Sequence, residues 1–294
     1  MRKTPGHGVN LSYYHFGRTT MFACQADQRF SYCLYVPESY DEAGTQTYPL
    51  AVIVHGTNRT AQEYRDAFAD FAEAQQCIVL APLFPVGIIE PGELSSYKFI
   101  AFHDIRFDHV LLAMIDEVAS LYRIEADRFL LHGFSGGGHF AHRFFYLHPE
   151  RLLGVSIGAP GMVTLLDRER DWWVGVRDLE TRFGKALNED AMRQVAVQMV
   201  VGGDDTDTWE ITIEPGGRYW MEDATISGAN RQDRMNALKA SFERAGIAVR
   251  HDVVPGVAHN GYLVLDRVKD FFAETLAGET ESPSRLVGQS ASDD

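Results

Sequence analysis

The segment RFLLHGFSGG, residues 128–137, decides the fold of this 294-residue chain. Its first half is an apolar, β-prone run, and its second half is a glycine-rich turn with the pattern G-x-S-x-G centred on Ser135. We predict that a helix follows from about residue 137 to residue 148, because Pro149 cannot continue it. A strand, a tight turn and a helix in direct succession are the setting that exposes a nucleophilic serine at the tip of the turn.

Ser135 is therefore the candidate nucleophile. Gly133 and Gly137 leave room for neighbouring backbone in the turn, and the serine stands at the positive end of the following helix. The simpler interpretation is a glycine-rich turn that only links a strand to a helix. The apolar strand before the turn and the amphipathic helix after it favour the catalytic interpretation.

Strand-like and helix-like segments alternate along the rest of the chain. This alternation predicts an α/β fold with a mainly parallel central sheet and helices on both faces, preceded by an antiparallel hairpin at one edge. The hairpin strands are predicted at residues 19–25 and 30–36, and further strands at 49–55, 77–83, 128–133, 153–158, 196–201 and 249–254. Helices are predicted at residues 61–75, 107–122, 137–148, 230–245 and 262–276.

The pattern fits a single domain covering residues 1–276. Residues 162–189 lie between two core strands, where we expect a small cap insertion. Residues 277–294 are polar, small and acidic, which predicts a disordered tail.

A serine hydroxyl needs a base within hydrogen-bond reach. Of the eleven histidines, His259 is the one that follows a predicted strand, in the loop PGVAHNG just before the last helix. Functional groups of open α/β sheets gather at that edge. His139 and His142 have the spacing of metal ligands on a helix, but no nearby carboxylate or cysteine completes the set, so we expect them to pack within the protein.

An acid that orients the histidine is expected on the loop after the strand at residues 196–201. That loop reads GGDDTD, and it offers Asp204, Asp205 and Asp207. Position along the chain does not choose among these three.

Acyl transfer also needs donors for the developing oxyanion. One is the backbone N–H of Gly136, directly after the nucleophile. The other is expected in the loop HGTN after the strand at residues 49–55, and we assign it to the Thr57 N–H, with Asn58 as the alternative.

Aromatic side chains are the candidates for the substrate pocket. Phe134 flanks the nucleophile, and Trp172 and Trp173 lie in the predicted cap, where core packing is the alternative role. Arg106 and Arg231 are expected to make structural ion pairs rather than to bind a substrate carboxylate.

Composition excludes several classes of function. The formal net charge of −14 and the absence of a basic run argue against a nucleic-acid partner. The sequence has no apolar stretch long enough to span a bilayer, and its N-terminus lacks the apolar region of a signal peptide. Three sparsely spaced cysteines suit a reducing cytoplasm. We therefore predict a cytoplasmic enzyme that uses no metal or other cofactor, with a homo-oligomer left open.

Taken together, these residues resemble the α/β-hydrolase superfamily over nearly the whole predicted fold. The chain looks most like the compact esterases related to polyhydroxybutyrate depolymerases and dienelactone hydrolases. In such proteins the acid ends a G-x-x-D stretch, so the resemblance selects Asp205 after Gly202. The loop HGTN lacks the HGGG of hormone-sensitive-lipase-like esterases, which argues against that branch.

The resemblance implies a serine hydrolase that cleaves a carboxylic ester of a small molecule through an acyl-enzyme. Cleavage of an amide, peptide or thioester by the same three residues is the alternative. A non-catalytic binding member of the fold is a further alternative, although such proteins usually lose a catalytic residue.

Overall fold

The computed structural model describes residues 10–281, with backbone only for the last two. Within this range the strands are β1 Gly17–Arg18, β2 Phe22–Ala23, β3 Ser31–Val36, β4 Leu50–Val54, β5 Ile78–Leu83, β6 Ala101–Phe102, β7 Ile105–Arg106, β8 Phe129–Phe134, β9 Leu152–Gly158, β10 Ala196–Gly202 and β11 Arg250–Val254. The helices are α1 Ala61–Ala67, α2 Ala69–Gln75, α3 Phe107–Leu121, α4 Gly136–Leu147, α5 Leu179–Phe183, α6 Glu189–Met192, α7 Arg231–Arg244 and α8 Leu265–Glu281.

In the described part of the chain, the central sheet has nine strands in the order β1-β3-β5-β4-β8-β9-β10-β11, and β2 pairs with β3 off this path. From β5 to β11 all neighbouring strands are parallel, whereas β1, β2 and β5 pair with β3 antiparallel. This topology confirms the predicted α/β-hydrolase fold with an antiparallel N-terminal edge. The strands β6 and β7 form a separate two-stranded sheet.

The central strands are buried on both faces. Every residue of β4, β8 and β9 is buried, as expected for parallel strands that are covered by helices above and below. The order of β4, β8 and β9 brings the ends of three strands together, and the loops that leave those ends build the cavity described below.

Several predicted boundaries are corrected by the structure. The helix predicted at residues 61–75 is two helices that meet at Phe68, whose φ of −98° and ψ of 5° lie outside the helical range. The last helix begins at Leu265 rather than at residue 262 and continues to Glu281. Residues 277–281 are therefore helical and not part of a tail, and residues 282–294 lie outside the described residues.

The leading hairpin is shorter than predicted. Only Phe22 and Ala23 of the first predicted strand pair with β3. Thr19 is joined to β3 by two separate hydrogen bonds with Leu34. The Thr19 N–H donates to the Leu34 carbonyl at 3.0 Å, and the Leu34 N–H donates to Thr19 Oγ1 at 2.8 Å.

The three cysteines are buried free thiols, so Cys24 and Cys33 form no bridge. Within residues 10–281, no helix combines the length and the apolar character that crossing a membrane requires.

Candidate active site

The turn between β8 and α4 has a constrained backbone. Ser135 adopts φ +56° and ψ −114°, which L side chains rarely occupy. The turn is so tight that a Cβ on Gly133 would lie 2.8 Å from Gly137 Cα, and a Cβ on Gly137 would lie 2.9 Å from the His55 carbonyl oxygen. Only glycine fits at both positions, as the sequence predicted.

Main-chain hydrogen bonds hold Ser135 in this conformation. Its N–H donates to the Gly158 carbonyl of β9 at 2.8 Å, and its carbonyl accepts the His139 N–H at 3.1 Å. The serine is partly exposed at the N-terminus of α4 and opens into a cavity of about 860 Å³. A strained backbone that several contacts hold in place is typical of functional sites.

His259 lines the same cavity and is paired with Asp205. The distance from His259 Nδ1 to Asp205 Oδ2 is 2.6 Å, and the carboxylate is buried. Asp204 and Asp207 are both exposed. The structure thus brings to the histidine the carboxylate that the G-x-x-D pattern selected.

The second oxygen of Asp205 accepts a hydrogen bond from Arg231 Nη1 at 3.2 Å. The same guanidinium reaches Glu210 Oε2 at 2.7 Å through Nη2, and Arg231 is only 2% exposed. Arg231 therefore makes ion pairs, as predicted, but no sequence pattern indicated that one partner is the residue beside His259.

The loop after β4 packs directly on the nucleophile turn. A Cβ on Gly56 would lie 3.8 Å from Ser135 Cβ, and a Cβ on Gly136 would lie 3.1 Å from the Thr57 nitrogen. The structure thus brings the Thr57 backbone nitrogen close to Gly136, beside Ser135. Asn58, the alternative donor, also lines the cavity.

Arg59 fixes this loop, a role that the sequence analysis missed. Its guanidinium donates to the carbonyls of Thr57 at 2.5 Å, Leu94 at 2.7 Å and Phe84 at 3.2 Å. It also lies 5.0 Å from the centre of the Tyr97 ring. Arg59 therefore holds the Thr57 carbonyl, and among the described residues the Thr57 N–H donates to no backbone carbonyl.

His55 supports the same loop from the core. Its Nδ1 lies 2.8 Å from the Gly56 carbonyl oxygen, and its Nε2 accepts the Phe84 N–H at 3.0 Å. Burial lowers the pKa of this imidazole to about 3, so it stays neutral. A neutral ring can donate on one side and accept on the other, which is the pattern that the loop requires.

The far wall of the cavity comes from a segment of which the sequence analysis singled out only the acid loop at its beginning. Residues 203–230, here called the roof, contain no assigned helix or strand. From the roof the lining residues are Glu210, Ile211, Thr212, Ile213, Glu214, Gly217, Arg218 and Tyr219. The predicted cap at residues 162–189 contributes Met162 to the lining.

The pocket aromatics divide between the lining and a layer behind it. Phe134 lines the cavity, with its ring centre 4.9 Å from that of His259. Trp172 and Trp173 are not among the described lining residues. Trp173 Nε1 donates to the carbonyl of Tyr219 in the roof at 3.0 Å, so packing, the alternative given above, is what the structure shows for the tryptophans.

The histidines of α4 pack as predicted. His139 Nε2 accepts the Met162 N–H at 3.1 Å, and His142 Nε2 accepts the Thr164 N–H at 3.1 Å. Burial lowers the pKa of both imidazoles well below the ordinary value. Both are therefore neutral near pH 7, and His139 also lines the cavity.

The fold also gathers Asp108, His109 and His148 into a group with the donor types of a metal site. Their spacing along the chain does not indicate such a group. Arg106 donates two hydrogen bonds, of 2.9 Å and 2.7 Å, to the Asp108 carboxylate, and Lys185 Nζ lies 3.2 Å from His148 Nδ1. Two protein cations in the group disfavour a metal cation, so we interpret it as a structural ion-pair network.

The mainly parallel sheet, the strained serine between β8 and α4, and the loops at the ends of β4, β10 and β11 define an α/β-hydrolase fold. The chain matches no protein-family model, and a comparison with curated proteins finds no relative. Comparison with solved structures finds this fold in many proteins.

One is a poly(aspartic acid) hydrolase from Sphingomonas sp. KT-1, with a TM-score of 0.68 and 20% identity over 86% of this chain and 97% of that chain. A poly(3-hydroxybutyrate) depolymerase from Bordetella parapertussis has a TM-score of 0.64 and 23% identity over 84% of this chain and 87% of that chain. A fluorophosphonate-binding serine hydrolase from Staphylococcus aureus has a TM-score of 0.54 and 14% identity over 84% and 92%. At these identities the similarity establishes the fold.

Proposed function

We propose that the protein is a serine hydrolase that cleaves a carboxylic ester through an acyl-enzyme. One observation carries the proposal: Ser135 stands on a strained turn in the same cavity as His259, whose Nδ1 lies 2.6 Å from the buried carboxylate of Asp205. A nucleophile, a base and a group that orients the base are the three parts that activate a serine.

In the proposed reaction, His259 Nε2 accepts the hydroxyl proton while Ser135 Oγ attacks the ester carbonyl carbon. Asp205 accepts the hydrogen bond of Nδ1–H, fixes the tautomer and stabilises the imidazolium. The N–H groups of Thr57 and Gly136 donate to the tetrahedral oxyanion. The alcohol leaves with the proton of His259, and a water then cleaves the acyl-enzyme by the same steps.

An amide bond is the second candidate for the cleaved linkage. Proteins of this fold include the poly(aspartic acid) hydrolase and the poly(3-hydroxybutyrate) depolymerase named above, and these polymers are joined by amide and ester bonds respectively. The fold therefore leaves the linkage open. Matched ester and amide substrates with the same acyl group decide between the two.

The proposal is tested with a fluorophosphonate probe, which forms a covalent bond with an activated serine. We expect labelling of the wild type and none of Ser135→Ala, together with a loss of kcat of about six orders of magnitude in the variant. Ser120→Ala is the matched control, because Ser120 lies on the exposed side of α3 and should label like the wild type. An unlabelled and inactive wild type would favour a non-catalytic binding protein, and full activity in Ser135→Ala would show that Ser135 is not the nucleophile. The cytoplasmic location stays a prediction from the sparse cysteines.

A further inference from the structure

A lysine in the wall of the cavity differs from the other lysines that the structure describes. Lys98 is 8% exposed, lines the cavity and pairs with no carboxylate in the described part of the chain. The other lysines that the structure describes each pair with an aspartate or a glutamate: Lys185, Lys239 and Lys269. A buried ammonium without a counter-ion is costly, so its presence at the wall of a cavity points to a ligand.

Lys98 lies beside Gly136, the residue that follows the nucleophile. A Cβ on Gly136 would lie 3.1 Å from Lys98 Cε and 3.1 Å from the Thr57 nitrogen. The one hydrogen-bond partner of its ammonium among the described residues is Ser95 Oγ, at 3.3 Å. Two of the three ammonium protons are therefore available to a ligand next to the proposed oxyanion site.

A second buried cation lies behind Lys98. Arg143 is fully buried, and its Nη1 donates to the Lys98 carbonyl at 2.5 Å. Its other neighbours are uncharged, with Nε bonded to Thr164 Oγ1 and the Phe99 ring centre 4.6 Å away. Two cations in a poorly hydrated wall create a positive potential that attracts anions.

None of the acidic residues described around the cavity forms an ion pair with Lys98 or Arg143. Glu210 is paired with Arg231, and Glu63 accepts a hydrogen bond from the Tyr262 hydroxyl. Glu93 accepts from the Tyr219 hydroxyl and lies 3.1 Å from Arg218. Glu214 is exposed at the rim.

We propose that Lys98 binds a free carboxylate that the substrate carries a few bonds from the scissile carbonyl. The substrate class is then a short ester with one free acid group, either a half-ester of a dicarboxylic acid or an ester of a hydroxy acid. This inference rests on ester hydrolysis at Ser135. It makes Lys98 a residue that determines specificity and that contacts the substrate through a charge-assisted hydrogen bond.

The experiment compares anionic and neutral esters of matched shape. For a carboxylate on the acyl side the pair is monobenzyl succinate and benzyl butanoate. For one on the alcohol side it is butanoyloxyacetate and ethyl butanoate. The measured quantity is the ratio of kcat/KM for the anionic ester to that for the neutral ester.

We expect Lys98→Met to lower this ratio by about thirtyfold in one of the two pairs, since a hydrogen bond to a charged group is lost. The pair that responds shows which side of the ester carries the acid. Lys239→Met, which removes a lysine paired with Glu243 on the surface of α7, is the control and should keep the wild-type ratio.

A wild-type ratio in Lys98→Met for both pairs would overturn the proposal, and so would an equal loss on anionic and neutral esters. In either case Ser135-dependent hydrolysis of the neutral esters would still stand. If no ester is hydrolysed in a Ser135-dependent way, the proposed function itself fails.

A second measurement does not depend on the variant folding. In the wild type, succinate should slow fluorophosphonate labelling of Ser135 at a concentration about tenfold lower than succinamide, because only succinate carries the charge. Equal protection by the two compounds would overturn the carboxylate site.

Discussion

The nucleophile turn and the roof both shape the cavity, yet they are held in different ways. In the turn at residues 133–137, backbone packs against backbone, so glycines and strand ends fix the geometry. The roof is held by side chains, including two buried arginines of α7. Arg231 forms an ion pair with Glu210, and Arg234 donates hydrogen bonds to the carbonyls of Ile211 and Gly228, each at 3.0 Å. A local pattern therefore encodes the turn, whereas distant side chains encode the roof.

Within the roof, the largest effect is expected at its beginning. Asp205→Asn should lower kcat by about four orders of magnitude, the value that the corresponding change causes in a serine protease, because an amide favours the wrong histidine tautomer. Asp204→Asn is the matched control, since its exposed carboxylate does not touch His259. We would measure kcat/KM for both variants after checking their circular dichroism. Equal activity of the two would show that another residue orients His259.

In the turn, a single methyl group should be poorly tolerated. Gly137→Ala places a Cβ 2.9 Å from the His55 carbonyl oxygen and against the Val54 carbonyl, so we expect a loss of about 3 kcal/mol in the free energy of unfolding. Gly216→Ala in the roof meets no atom within 4 Å, but its φ of +82° makes it a control for backbone strain without collision. Urea unfolding gives both values. If Gly216→Ala proved the more damaging variant, the contrast between the two regions would be wrong.

The two arginines of α7 should separate catalysis from binding. Arg231→Met removes a bond to Asp205 and should lower kcat by about thirtyfold. Arg234→Met releases the roof without touching Asp205, so it should raise KM more than it lowers kcat. Steady-state kinetics on one neutral ester supply both parameters. The same change in kcat for both variants would mean that Arg231 acts only through the roof.

The preference for an anionic ester should depend on pH. Burial, with repulsion from Arg59 and Arg143, lowers the pKa of Lys98 to about 8, while Glu93 and Glu210 act in the opposite direction. The ammonium is charged below that pKa, so the preference should be complete near pH 7 and fall about tenfold as pH rises beyond 8. The ratio of kcat/KM for monobenzyl succinate to that for benzyl butanoate measures this directly. A ratio that is constant across this range would exclude Lys98 as the carboxylate partner.

The smallest effect on stability is expected in the exposed part of the roof. Trp209 is 75% exposed, and Trp209→Ser should change the free energy of unfolding by no more than about 0.5 kcal/mol. Phe134→Ser, in the turn region and 3% exposed, is the contrasting variant and should be much more destabilising. Thermal unfolding compares them, and a large effect at Trp209 would reveal a contact that the roof makes through this side chain.

The sequence predicted those parts of the molecule that follow from local patterns. Apolar runs followed by glycine marked the central strands, and the order of Ser135, the acid loop and His259 along the chain located the candidate site. The choice of Asp205 needed the family pattern, because neighbouring residues on an irregular loop have no period that fixes which one points inward.

The parts that were missed depend on contacts between distant residues. Arg59 reaches carbonyls up to 35 residues away, and Arg143 bonds the carbonyl of a residue 45 positions before it. The roof has no periodic apolar pattern that would indicate a structured segment, so the cap was placed at residues 162–189 instead. For Lys98 there was one available signal, its position as a single cation within the apolar segment SSYKFIAF.

The position of Arg231 between Asp205 and Glu210 has a thermodynamic consequence. Since one guanidinium contacts both carboxylates, a local opening of the roof that separates Glu210 from Arg231 would share a free energy of coupling with the orientation of His259. Coupling of this kind is reciprocal: a ligand that binds better when the histidine is oriented must also stabilise the closed roof, by the same factor. A protease that cuts within residues 203–230 would then report occupancy of the cavity, because each bound molecule lowers the fraction of chains whose roof is open to cleavage.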